Sequence, residues 1–108
     1  MSNRISMTDL HDKLTSLGPK DLVLDVRTPE EFQEGHVPGS RNIPHDEIEF
    51  RAQELKAFDK IYLHCRSGKR AQVATQVLEA MGFKNITCVP STGMMDWEAA
   101  GYEISRKP

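Results

Sequence analysis

His64-Cys65-Arg66-Ser67-Gly68-Lys69-Arg70-Ala71 follows a short apolar run, Ile61-Tyr62-Leu63, that is rich in strand formers. Downstream, Val73, Val77, Leu78 and Met81 recur at roughly three-to-four spacing, which predicts a helix with these residues on its apolar face. A cysteine therefore stands where a strand gives way to a helix. The residues between them are small or cationic, so the loop can turn its backbone N–H groups inward and form an anion cradle at a helix N-terminus. Those N–H groups, the helix dipole and the cations Arg66, Lys69 and Arg70 favour the ionised, nucleophilic form of a thiol. On this reading Cys65 is the candidate nucleophile, and Arg66, Ser67, Gly68, Lys69 and Arg70 are candidate binding residues for an anionic substrate. The competing reading is a buried strand-end cysteine beside a solvated basic turn, and the loop chemistry favours the reactive one.

Working outward, Leu22-Val23-Leu24-Asp25-Val26 is a compact apolar run of the kind expected of a strand buried on both faces. Thr28-Pro29-Glu30-Glu31 has the signature of a helix start: a capping threonine, proline at the first helical position and glutamate at the capping-box spacing. Gly35 keeps that helix short, and His36-Val37-Pro38-Gly39-Ser40 is a tight connection. Asn42-Ile43 reads as a brief strand, and Pro44 to Asp46 starts another helix with Ile48 and Leu55 facing inward. Near the beginning, Ile5 and Met7 alternate with polar residues as in a short edge strand. Ser6 or Thr8 can cap a helix that carries Leu10, Leu14 and Leu17 and stops at Gly18-Pro19. Gly82 ends the helix after the cysteine loop. Ile86-Thr87-Cys88-Val89 reads as the last strand, Ser91-Thr92-Gly93 as a loop, and Met94, Met95, Trp97 and Ala100 as a short closing helix ended by Gly101. Alternating strands and helices imply a parallel sheet covered on both faces, with ligands bound beyond the carboxyl ends of the strands. Cys65 lies at one such end, and Asp25 and Arg27 lie at another.

The chain has 108 residues, enough for one domain with a modest core. A formal charge of −2 with no basic stripe outside the loop argues against a nucleic-acid partner. No apolar run reaches membrane-spanning length, and Met1-Ser2-Asn3-Arg4 lacks the apolar stretch of a signal peptide. The expected compartment is the cytoplasm, where Cys65 and Cys88 stay reduced. Two cysteines without paired histidine spacing make a poor zinc site.

Three segments together resemble the rhodanese (sulfurtransferase) family and span nearly the whole chain. Leu24-Asp25-Val26-Arg27-Thr28-Pro29-Glu30-Glu31-Phe32, continuing through Gly35-His36-Val37-Pro38-Gly39-Ser40, is similar to the family's N-terminal signature. Cys65-Arg66-Ser67-Gly68-Lys69-Arg70 resembles its active-site loop, and Thr92-Gly93-Met94-Met95-Asp96-Trp97 through Gly101 resembles its C-terminal signature. The resemblance implies a single rhodanese domain over residues 1–108: an α/β fold with a five-stranded parallel sheet and helices on both faces. It further implies that Cys65 accepts a sulfane sulfur as a persulfide from an anionic donor such as thiosulfate. Cyanide or a thiol then takes the sulfur, and the cycle needs no cofactor. The family usually places two glycines before the C-terminal tryptophan segment, whereas this chain has Thr92-Gly93, a departure that bears on the pocket rim and donor preference.

Other residues have plainer readings. Asp25 and Arg27 serve as supports that hold neighbouring loops by hydrogen bonds. His36 ties its turn together, Cys88 is a small buried apolar residue, Trp97 anchors the core, and Met94 and Met95 supply adaptable packing. His64 adjoins Cys65, but adjacent strand residues point to opposite faces, which discounts it as a base for the thiol. Two alternative functions use the same loop. A persulfide carrier would deliver its sulfur to a partner protein with little free turnover. A phosphatase or arsenate reductase would need a wider loop: Cys65 and Arg70 enclose four residues, one fewer than in the related phosphatases.

Overall fold

The sequence alternates between segments that bury both faces of a strand and segments that present one apolar stripe, and the computed structural model, which describes residues 3–106, arranges them accordingly. Met1 and Ser2 of the opening segment, and the last two positions of the expected 1–108 unit, lie outside the described residues. Five strands run parallel in one sheet: β1 (Asn3–Arg4), β2 (Asp21–Asp25), β3 (Arg41–Asn42), β4 (Lys60–Cys65) and β5 (Ile86–Gly93). Their spatial order is β1-β5-β4-β2-β3. The helices are α1 (Met7–Lys13), α2 (Pro29–Glu34), α3 (Ile48–Arg51), α4 (Lys69–Ala80) and α5 (Met94–Ala99). Among the described residues, no helix is long and apolar enough to cross a membrane.

Strand alternation divides the core in two. Leu22, Leu24, Ile61, Leu63 and Cys65 join Ile48 and Leu55 and the α4 residues Ala71, Ala74 and Leu78 on one face. Val23 and Tyr62 join Met7, Leu10, Met94 and Trp97 on the other. Each fully buried aliphatic side chain contributes about 1.5–3 kcal/mol of transfer free energy, so the two layers clamp the central strands from both sides. The chain leaves β2 for β3 in one direction and leaves β4 for β5 in the other. The carboxyl ends of β2 and β4 therefore flank the switch point at which such sheets bind ligands.

Four local expectations are corrected. The first strand is Asn3–Arg4 and not the Ile5–Met7 alternation. The Ser6 hydroxyl accepts the Asp9 N–H at 3.0 Å and commits the chain to helix from Met7 onward. The buried face of α4 is Ala71, Ala74, Thr75 and Leu78, while Val73 and Met81 are 44% and 47% exposed. Close packing of α4 against β4 and β5 selects the small residues for the interior, and the Thr75 hydroxyl is satisfied by donating to the Ala71 carbonyl at 2.8 Å. Ser91-Thr92-Gly93 is not a loop but the end of β5. Leu63 pairs with Cys88 and Cys65 with Gly93, so the register shifts and the longer strand bulges beside the cysteine. Met95 is exposed, and the packing at the start of α5 falls to Met94 and Trp97.

The expected signals elsewhere have their physical counterparts. Thr28 and Glu31 form a reciprocal capping box with Pro29 in the first turn of α2. Gly82 follows α4 with φ +97°, a left-handed conformation that suits glycine. Trp97 is buried and its indole N–H donates to the Glu103 carbonyl at 2.7 Å.

Candidate active site

β4 delivers Cys65 to the carboxyl edge of the sheet, and the chain turns at once into α4. Gly68 makes that turn with φ +105°, and a Cβ there would run into the Pro90 carbonyl. The Gln72 side-chain amide also donates to that carbonyl, so β5 holds the first turn of α4 in place. Gly68 occupies the N-cap position of α4 and offers no side-chain oxygen to the first-turn N–H groups. The thiol of Cys65 fills that role. Its Sγ accepts the Gly68 N–H at 3.0 Å and the Ala71 N–H at 3.4 Å. Both donors and the positive end of the helix dipole stabilise negative charge on sulfur at this point. Cys65 is 1% exposed, so the sulfur sits at the floor of the loop. Arg66, Ser67 and Lys69 are exposed around it.

Arg70 is engaged differently. Its guanidinium donates to both Glu31 carboxylate oxygens, at 2.6 and 2.9 Å. The same carboxylate accepts the Thr28 N–H at 3.0 Å in the capping box. The Arg70 hydrogen bonds, aided by Thr28, hold the Glu31 carboxyl at about 2, well below the usual carboxylate range. Arg70 thus pins the first turn of α4 to the start of α2. A Cβ on Gly93 would collide with the Cys65 carbonyl, so the second glycine of the loop region is required by close approach and not by its backbone angles.

Asp25 and Arg27 form a second buried pair, with Arg27 Nη2 2.7 Å from Asp25 Oδ2 and also donating to the Gly35 carbonyl at 2.7 Å. This pair braces the connection after α2, and Asn42 ties β3 to the same place through the Asp25 and Arg27 carbonyls. His64 is fully buried on the face opposite Cys65, in register with Asp25. Burial pushes its imidazole pKa down, with Asp25 acting in the other direction, and its Nε2 has no hydrogen-bond partner among the described residues. The ring is therefore a neutral core group and not a base directed at the thiol. His36 stacks on Phe32, and its Nδ1 lies 2.7 Å from the Phe32 carbonyl. Cys88 is free and buried, and burial pushes its thiol pKa up. Glu31 and Gly93 are the supports that reading by residue type missed. Glu31 was visible only as a capping residue, and no local pattern marks its reach to Arg70.

The chain as a whole has known relatives. A family model described as the rhodanese-like domain matches residues 6–100. The chain belongs to the rhodanese-like domain family. A rhodanese-related protein from Thermoplasma volcanium superposes with a TM-score of 0.83 at 30% identity, covering 97% of this chain and 99% of that one. The thiosulfate:glutathione sulfurtransferase of Saccharomyces cerevisiae is 30% identical over 96 residues, which span 77% of this chain and 68% of its own length. YrkF of Bacillus subtilis, whose name provisionally makes it a sulfur carrier protein, is 46% identical over 76 residues, or 69% of this chain. This chain spans 40% of the length of that relative.

Proposed function

We propose that the protein moves a sulfane sulfur through a Cys65 persulfide. The observation that carries this reading is the pair of N–H groups, from Gly68 and Ala71, that converge on Cys65 Sγ at the head of α4. A thiolate held there attacks the outer sulfur of an anionic donor such as thiosulfate. A bond forms between Cys65 Sγ and that sulfur, the donor's S–S bond breaks, and sulfite leaves with the electron pair. Arg66 and Lys69, exposed beside the nucleophile, draw in the dianion, while Ser67 and Gly68 line the loop. Arg70, held by Glu31, acts on the loop as a brace. Asp25 and Arg27 support the adjoining turn. Cyanide or a thiol then takes the sulfur and regenerates the Cys65 thiolate.

The test is intact mass after incubation with thiosulfate. The natural protein gains one sulfur atom and loses it to cyanide. Cys65→Ser gains none, because an alcohol at this site is far less ionised than a thiol. Cys88→Ser loads like the natural protein. Loading of Cys65→Ser, or equal loss in both folded variants, defeats the single-cysteine mechanism.

The provisional name of the Bacillus relative favours a second form of the same chemistry, in which the persulfide is delivered to a partner protein and turnover with small thiols is slow. Comparing small thiols with candidate protein acceptors separates the two.

A further inference from the structure

A shallow groove of about 250 Å³ opens beside the Cys65 loop, lined by Arg27, Glu31, Glu34, Gly35, Arg66 and Glu98. Two of these charges are already matched, Arg27 by Asp25 and Glu31 by Arg70. The groove then keeps one guanidinium, Arg66, against two carboxylates, Glu34 at the end of α2 and Glu98 on α5. All three are exposed, and none forms an ion pair among the described residues. Lys69 is exposed on the first turn of α4 but is not part of the groove wall. The loop itself is therefore cationic, while the wall next to it carries a surplus of negative charge.

We infer that Glu34 and Glu98 set the acceptor preference of the Cys65 persulfide toward thiols that carry a positive charge close to the sulfur, of which an aminothiol is the simplest. This inference rests on the persulfide reading above. The acceptor thiolate attacks the outer sulfur of the persulfide and forms a new S–S bond. The bond from that sulfur to Cys65 Sγ breaks, its electron pair returns to Cys65 as thiolate, and the acceptor departs as a persulfide. No outside oxidant or reductant takes part. A cation on the acceptor gains from both carboxylates during this step, and an anion there is repelled by them.

The experiment separates discharge from loading. Natural protein and the E34Q/E98Q variant are loaded with thiosulfate, desalted and mixed at low ionic strength with cysteamine, 2-mercaptoethanol or 3-mercaptopropionate. Loss of the added sulfur is followed by intact mass. For each thiol the ratio of natural to variant rates is taken, so the intrinsic nucleophilicity of the thiol cancels. The ratio for cysteamine should exceed that for 3-mercaptopropionate by about three- to tenfold, the order expected of unit charges several ångströms apart near water. 2-Mercaptoethanol should fall between them, and high salt should close the gap. If the double variant loads poorly, E34Q and E98Q are measured singly, and each should remove part of the preference. Equal ratios for the three thiols overturn the inference and leave the persulfide reading standing. Failure of the natural protein to load overturns that reading, and this inference with it.

Discussion

Replacing Glu31 tests how the loop is held. Its carboxylate is both half of the α2 capping box and the sole ion-pair partner of Arg70 among the described residues. Moving its pKa from 4.5 to about 2 sets a ceiling of about 3 kcal/mol on the stabilisation. The Glu31 and Arg70 side chains are 25% and 27% exposed, so solvent screening reduces this to about 1–2 kcal/mol. Loss of the capping contacts adds about 0.5–1 kcal/mol. Glu31→Ala should therefore cost about 1.5–3 kcal/mol, and Glu31→Gln, which keeps an oxygen for the Thr28 N–H, about 1–2 kcal/mol. The sign of the pH dependence follows from a lowered carboxylate pKa. The ionised group stabilises the fold fully above its unfolded value, and the contribution fades as pH falls from 4.5 toward about 2. Urea unfolding of natural protein and Glu31→Gln at pH 7, 4 and 3 measures this. The gap between them should be widest at pH 7 and have lost more than half its size at pH 3. A gap that stays constant across this range, or is absent at pH 7, refutes the assignment of Glu31 as the ionic anchor of α4.

The remaining predictions concern the loop and its packing. Lys69→Ala removes an exposed cation beside the nucleophile and should weaken thiosulfate use at low ionic strength with little change in stability; unchanged thiosulfate kinetics in low salt would remove Lys69 from donor capture. Gly93→Ala drives a methyl group into the Cys65 carbonyl and should cost about 1–3 kcal/mol together with most of the sulfur loading, as read by thermal unfolding and intact mass. One small residue inserted between Ser67 and Gly68 should impair sulfur transfer by pulling the Gly68 and Ala71 N–H groups away from Cys65 Sγ. The natural protein should hydrolyse aryl phosphates negligibly, and Cys65-dependent phosphatase activity above its sulfur transfer would reverse the choice between the two chemistries.

Much of the architecture was legible because it depends on local chemistry. Leu22–Val26 read as a doubly buried strand, since apolar side chains at consecutive positions can only be buried by layers on both sides, and Ile61–Leu63 read as a run of strand formers before the cysteine. The α2 start was explicit in Thr28, Pro29 and Glu31. Alternation along β4 correctly sent His64 and Cys65 to opposite faces. What failed depends on distances that no local pattern records. The stripe through Val73 and Met81 is a good helical period, yet the narrow space between α4 and the sheet admits Ala71 and Ala74 instead. The end of β5 looked like a loop because a register shift beside Cys65 has no composition of its own. In the site, the loop cations were evident, but not that Arg70 is held by a carboxylate thirty-nine positions earlier in the chain.

The size of the loop is itself a packing outcome. β5 approaches it at two points: Gly68 lies against the Pro90 carbonyl, and Gly93 lies against the Cys65 carbonyl. Neither point has room for a Cβ, so the loop is held from below at its turn and at its cysteine. Glu31 fixes the next residue outward, Arg70. Between these anchors the backbone has the length that brings two N–H groups onto one sulfur, and an added residue disturbs that match. This also places the departure from the usual pair of glycines. The position that must lack a side chain is Gly93, and it does. Thr92 stands half-buried one step before it on β5, a position distinct from the one where an added Cβ would meet the Cys65 carbonyl.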